Sequence, residues 1–141
     1  MRDNEEDTWT LLKRSHEGSP LLVRFRRFVR SVDCAAYPIR LNIFWQMAKP
    51  DHNGFASATE GAALELFENR LVSAVERDRH SVLSVVLTCN GQREFVFHST
   101  DSTEFLRRLS DMPQDIEPYP IEIHSNDDHD WEYYRAVTGT G

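Results

Sequence analysis

Residues 81–100 read SVLSVVLTCNGQREFVFHST, and the fold turns on how this stretch is divided. Asn90-Gly91 accepts positive φ at both positions, which a two-residue hairpin turn requires. The flanking SVLSVVLTC (81–89) and QREFVFHS (92–99) are rich in β-branched and aromatic residues, the chemistry of strands. The reading is a hairpin with Cys89 opposite Gln92 and His98 opposite Leu83. The first of these strands carries no charge and no proline, so as a sheet edge it would present an unguarded row of backbone donors and acceptors. Either an N-terminal hairpin or a second subunit is expected to cover it.

Toward the C-terminus, Asp101 and Glu104 cap a helix carrying Phe105, Leu106 and Leu109, which DMP (111–113) stops. YPIEIH (119–124) reads as a strand with Tyr119, Ile121 and Ile123 inward and Pro118 and Pro120 blunting its edge. A short helix over Asp130 to Val137 closes the chain. Toward the N-terminus, Ser57 with Glu60 forms a capping box for a helix bearing Leu64, Phe67, Leu71 and Val75 and running to about Arg79. IRLNIFWQM (39–47) alternates as a strand, with Ile39, Leu41, Ile43, Trp45 and Met47 on one side, and the KPDHNGF loop ends it. DTWTLLK and PLLVRFRRFV form two strands around the HEGS turn, with a helix over 21–32 as the competing reading. The order β-β-β-α-β-β-α-β-α contains β-α-β-β-α-β, which predicts an α+β ferredoxin-like sandwich with an added N-terminal β-hairpin and a short C-terminal helix. In that topology SVLSVVLTC and YPIEIH lie at opposite edges of the four-stranded core.

The 141 residues fit one domain spanning 1–141, with residues 1–8 expected to be a disordered acidic N-terminus and 138–141 a flexible tail. Hydrophobic residues make up 40% and charged residues 28%, a globular rather than a disordered balance. No apolar run approaches the roughly 20 residues that span a bilayer, and MRDNEEDTW lacks the regions of a signal peptide, so a cytoplasmic protein without a membrane partner is expected. Cys34 and Cys89 have no CxxC partner, and no disulfide is expected. A net charge of -7 argues against nucleic acid and anionic membranes. Charge is also unevenly placed: residues 13–30 carry Lys13, Arg14, Arg24, Arg26, Arg27 and Arg30 against Glu17, whereas 111–132 carry eight carboxylates and no Lys or Arg.

The densest cluster of chemistry-bearing residues is HSNDDHDWEYYR (124–135). A transition-metal site needs three or four converging ligands. Neither His-x3-His nor a calcium-loop pattern occurs among His124, Asp127, Asp128, His129 and Asp130, so Asp127 or Asp128 is read as a helix cap and Trp131 and Tyr134 as anchors. The hairpin separates Cys89 from His98, leaving no thiol–imidazole pair, and Asp101 beside His98 and Ser99 is read as a cap rather than a triad member. Phosphate-binding glycine loops are absent, and no cofactor or metal is expected. The strand REFVF, with Phe95 and Phe97 and the neighbouring Phe44, loosely resembles the aromatic strand by which an RRM stacks RNA bases. Arg24, Arg26, Arg27 and Arg30 are either a solvated strand face or a patch for a carboxylate-rich partner.

PIRLNIFW, NGFAS before LELFENRL, LTCNGQREFVFHSTD and the closing NDDHDWEYY together resemble the bacterial domain of unknown function 695 family over roughly residues 9–135. Members of that family show a Gly-Arg-Glu-Phe-like hairpin and an Asp-Pro-Glu-Trp-like ending; here His129-Asp130 precedes Trp131. The family looks related to ferredoxin-like regulators that bind and inhibit a bacterial ribonuclease. The resemblance implies the ferredoxin-like fold and, by analogy, a non-enzymatic protein-interaction or regulatory module, with another protein or a second copy as partner and no small-molecule ligand. The acidic and aromatic surface of Asp127, Asp128, Asp130, Trp131 and Tyr134 and the arginine patch are its candidate partner surfaces. Two other classes stand beside it. One is the RNA-binding sheet; the other is a hydrolase-type enzyme in which Glu65 or Glu68 meets His98 or His124.

Overall fold

Where the sequence places turn residues, the chain turns. A computed structural model describes residues 7–28 and 32–139. Strands β1 (Thr8–His16) and β2 (Ser19–Arg27) join at Glu17 and Gly18, both at positive φ, and β4 (Ser81–Cys89) and β5 (Gln92–Ser99) join at Asn90 and Gly91, with φ of 52° and 78°. Residues 21–27 are strand, so the competing helix is not formed there: alternation sends Val23 and Phe25 to one face and Arg24 and Arg26 to the other. Residues 29–31, including Arg30, lie outside the described residues, as do 1–6, 140 and 141. β1 already begins at Thr8, and Asp7 accepts from Arg26 at 3.0 Å.

Strand β3 (Ile39–Gln46), helix α1 (Ala58–Glu76), β4, β5, helix α2 (Ser102–Asp111) and β6 (Ile121–Asp127) form the ferredoxin-like core, and helix α3 (Glu132–Thr138) ends the chain. All strand pairs are antiparallel in the order β1-β2-β4-β5-β3-β6. The N-terminal hairpin therefore covers the uncharged edge of β4, and Val23, Phe25, Val85 and Val96 pack together across that join. The main core lies between the sheet and α1 and α2, where Leu41, Ile43, Leu64, Phe67, Leu71, Phe95, Phe97 and Phe105 are wholly buried.

Three details depart from the sequence reading. His98 pairs with Val82 rather than Leu83, because a bulge at Ser84 shifts the register between Leu83 and Val85. The bulge lets Leu83 and Val86 share the helix side while Val85 faces the other way, so the apolar doublet Val85-Val86 is buried on both faces. The capping box is half made: Ser57 accepts from the Glu60 amide at 3.2 Å, but the Glu60 carboxylate turns to Trp45 Nε1 at 3.0 Å and Ala48 N at 3.0 and 3.1 Å. Finally, Pro118 and Pro120 precede β6 instead of guarding it, and the strand runs on through Ser125, Asn126 and Asp127.

Candidate functional site

The sheet face turned away from α1 and α2 carries a row of joined polar side chains. Ser84, held in the bulge of β4, lies 3.0 Å from both the Val96 carbonyl and His98 Nδ1. His98 Nε2 lies 3.1 Å from Asp128 Oδ2, and Asp128 Oδ1 accepts from the Glu132 amide at 2.9 Å, which caps the first turn of α3. Arg40 approaches Asp128 at 3.5 Å and donates to Asn42 at 2.8 Å. Asn42 Nδ2 and the Tyr133 hydroxyl both donate to Glu94 Oε2, at 2.6 and 2.7 Å. The row thus links β4, β5, β3 and α3. Trp131 closes it from above: its ring stacks on His98 at 4.0 Å with an 18° tilt, and its Nε1 donates to the Tyr37 carbonyl at 3.0 Å.

Burial settles the protonation. Ser84 and His98 are wholly buried and Asp128 nearly so. Desolvation pushes His98 down to about 4, against the opposing hydrogen bond and charge of Asp128 and with a smaller push from Arg40. The imidazole is neutral near pH 7. A carboxylate only accepts, so Nε2 carries the proton, and Nδ1 faces the single hydroxyl proton of Ser84, which the Val96 carbonyl also attracts. Burial likewise raises the Tyr133 phenol, and Glu94 raises it further.

By contact this is a serine–histidine–carboxylate chain, assembled from residues 84, 98 and 128 and not from His98, Ser99 and Asp101. Asp101 caps α2 instead, accepting from the amides of Thr103 at 3.3 Å and Glu104 at 3.2 Å. Acyl transfer needs an approach to the serine and donors where the oxyanion develops. Ser84 lies in the interior with Trp131 lying over its histidine, and through Asp128 the row fastens α3 to the sheet.

α3 covers only part of this face. Tyr133, Tyr134 and Val137 pack over Val23, Phe25, Val85 and Val96. Beyond α3, Phe44, Gln46, Gln92, Tyr119, Pro120, Glu122 and His124 border an open groove of about 590 Å³ along β3 and β6. Its single histidine, His124, bonds Glu122 at 2.6 Å and meets the Phe44 ring edge-on at 5.4 Å.

The sequence model of the family of unknown function DUF695 matches residues 7–137. The chain belongs to this family. No match is found among curated proteins or solved structures. Two of the stretches that carry the DUF695 resemblance meet in the polar row: Glu94 comes from the GQREF hairpin, and Asp128 and Trp131 from the closing DHDW.

Other residues singled out in the DUF695 chain lie apart. Arg24 grips Glu68 of α1 with its two terminal guanidinium nitrogens at 3.2 and 2.5 Å. Arg26 bonds both Glu76 oxygens at 3.1 and 3.0 Å, and Arg27 bonds Thr10 at 3.0 Å and stays exposed. The Arg24 and Arg26 pairs bind the N-terminal hairpin to α1. Asp127 and Asp130 are exposed, while Tyr134 donates to the Arg26 carbonyl at 2.6 Å. Phe95 and Phe97 pack against Phe67 and Phe105 on the helix side, and Phe44 faces the opposite side. This overturns the RNA-stacking sheet, since two of its three rings have no solvent face. Glu68 lies on the helix side of the sheet and His98 and His124 on the other, so the dispersed carboxylate–histidine pairing does not form. Both cysteines are free, and burial pushes the Cys34 thiol up. Among the described residues no group of three His, Cys, Asp or Glu is placed to hold a metal ion, and no helix is long and apolar enough to cross a membrane.

Proposed function

We propose that this DUF695 domain is a non-catalytic protein-interaction module with a regulatory role, and that its partner docks on the open half of the outer sheet face. The observation that carries the reading is the incomplete cover. α3 packs over the β2, β4 and β5 side, while half-buried Phe44 borders an open groove on β3 and β6. The resemblance to ferredoxin-like regulators points the same way by analogy. The test is affinity capture with the full chain from the cells that make it, at low and high salt, comparing the wild type with Phe44→Lys. The reading expects a protein retained by the wild type and lost with Phe44→Lys; equal retention by both would contradict it.

A hydrolase is the contrasting class, and the Ser84–His98–Asp128 contacts are the observation in its favour. Reaction of Ser84 with a fluorophosphonate probe in the folded protein would establish it. The buried geometry leads to the opposite expectation, an unlabelled serine.

A further inference from the structure

The outer edge of β6 has an unused hydrogen-bonding surface whose phase can be derived. Gln46 N donates to Pro120 O at 3.0 Å and Asp128 N to Pro38 O at 2.7 Å, bracketing the β3–β6 ladder. In an antiparallel pair, residues alternate between bonding inward and outward. With Phe44 opposite Glu122 and Asn42 opposite His124, the even-numbered residues Glu122, His124 and Asn126 bond to β3. Ile123, Ser125 and Asp127 therefore turn their N–H and C=O groups away from the sheet. β6 is the terminal strand, and no described residue bonds those groups.

The two sheet edges are guarded differently. β1 carries Lys13 and Arg14, charges that discourage a neighbouring strand, whereas β6 has neither a cation nor a proline from Ile121 to Asp127. The stretch that carries it is acidic: residues 111–132 hold eight carboxylates and no Lys or Arg, and the nearest arginine, Arg40 on β3 opposite Asn126, is turned to buried Asp128. Arg70 pairs with Asp115 at 3.0 Å and Arg107 with Asp111 at 2.8 Å, whereas Glu122, in contact with His124 at 2.6 Å, and Asp127 are exposed with no Lys or Arg among the described residues in contact. Beside Glu122 the groove offers Phe44, Tyr119 and Pro120, apolar surface on which the methylenes of a long cationic side chain can lie while its charge meets the carboxylate.

We propose that β6 receives, as a seventh strand, an extended segment of a partner protein that carries lysine or arginine on alternate residues. The segment bonds through the outward groups of Ile123, Ser125 and Asp127 and sets a cationic side chain against Glu122 and the Phe44 groove. This rests on the interaction reading above and supplies its partner chemistry. Negative charge along the strand excludes acidic segments and steers basic ones.

The probe is a fluorescein-labelled nonapeptide of alternating lysine and valine, with its glutamate–valine counterpart, added to the full chain and followed by fluorescence anisotropy and amide NMR. Saturable binding of the lysine peptide is expected, at least tenfold tighter than the glutamate peptide, with the largest amide shifts at Ile123, Ser125 and Asp127. Glu122→Lys should weaken it at least fivefold. Ser125→Pro, which removes an outward N–H and leaves the β3 ladder bonds in place, should weaken it at least tenfold. Equal affinity for both peptides, wild-type affinity in Glu122→Lys, or shifts confined to other strands would overturn the proposal. So would a peptide-free chain found by sedimentation to dimerise through β6. If the peptide result fails while Phe44→Lys still loses its captured partner, the strand inference falls and the interaction reading stands; if both fail, both fall.

Discussion

Trp131 sits at φ 56° and ψ 40°, a left-handed conformation that costs a residue with a β-carbon about 1 to 3 kcal/mol, yet its ring is almost wholly buried. What holds it there is the stack on His98 and the Nε1 bond to Tyr37, with edge contacts to Tyr37 and Tyr134. Trp131→Ala is expected to cost about 3 to 5 kcal/mol, read as a shift in the denaturant midpoint. His98 makes a second, independent prediction. Its folded-state value of about 4 lies below the ordinary 6.5, so between those pH values the unfolded chain binds the extra proton. The stability tied to neutral His98 is thus complete above about pH 6.5 and is lost as pH falls toward 4, a change of about 3 kcal/mol. Asp128 and Arg40, the charged groups facing the ring, act on it in opposite directions and are included in that value. Urea titrations across this window should show the loss in the wild type and a much smaller one in His98→Gln.

At the level of elements, local chemistry decided most of what the sequence revealed. Asn90-Gly91, the Ser57 and Asp101 caps and the alternation of IRLNIFWQ are short-range signals, and each gave its element with boundaries a few residues out. The Ser84 bulge left only an indirect trace: the apolar doublet Val85-Val86 breaks the two-residue period. Its consequence, a serine placed against His98 and in reach of Asp128, needs residues 44 positions apart to meet, and no local pattern encodes that. For the same reason Glu60 looked like half of a capping box, although its carboxylate serves Trp45 and Ala48. Gly54 shows a tertiary demand of the same kind. It has φ of +83°, and an added Cβ would lie 2.8 Å from the Asn90 backbone nitrogen, where the β4–β5 turn meets the loop after β3. Gly54→Ala should destabilise by about 1 to 3 kcal/mol and shift the Asn90 and Gly91 amide resonances.

Across the whole molecule, the sheet order makes the N-terminal hairpin the cover of the β4 edge. Deleting residues 1–27 would bare a nine-residue edge with no charge or proline, and light scattering should show concentration-dependent association of the truncated chain. A truncated chain that stays monomeric would show that the hairpin's role is not protective. The uneven charge was legible as a tally but not as a map. The sequence could not reveal that Arg24 and Arg26 are spent on α1, because Glu68 and Glu76 lie more than forty residues away and meet them only once the sheet is built. Nor could it reveal that the carboxylate-rich stretch borders an open edge, since the two prolines that should have guarded that edge fall before it. These two facts move the candidate partner surface from the arginines to β6 and the Phe44 groove. The most direct test is site-specific photo-crosslinking in the living cell, with benzoylphenylalanine in place of Phe44 on the open face or of Leu106 on the opposite side of the molecule. A discrete protein adduct at position 44 and none at 106 is the expected result; adducts at 106 alone, or at neither position, would contradict an interaction surface on this face.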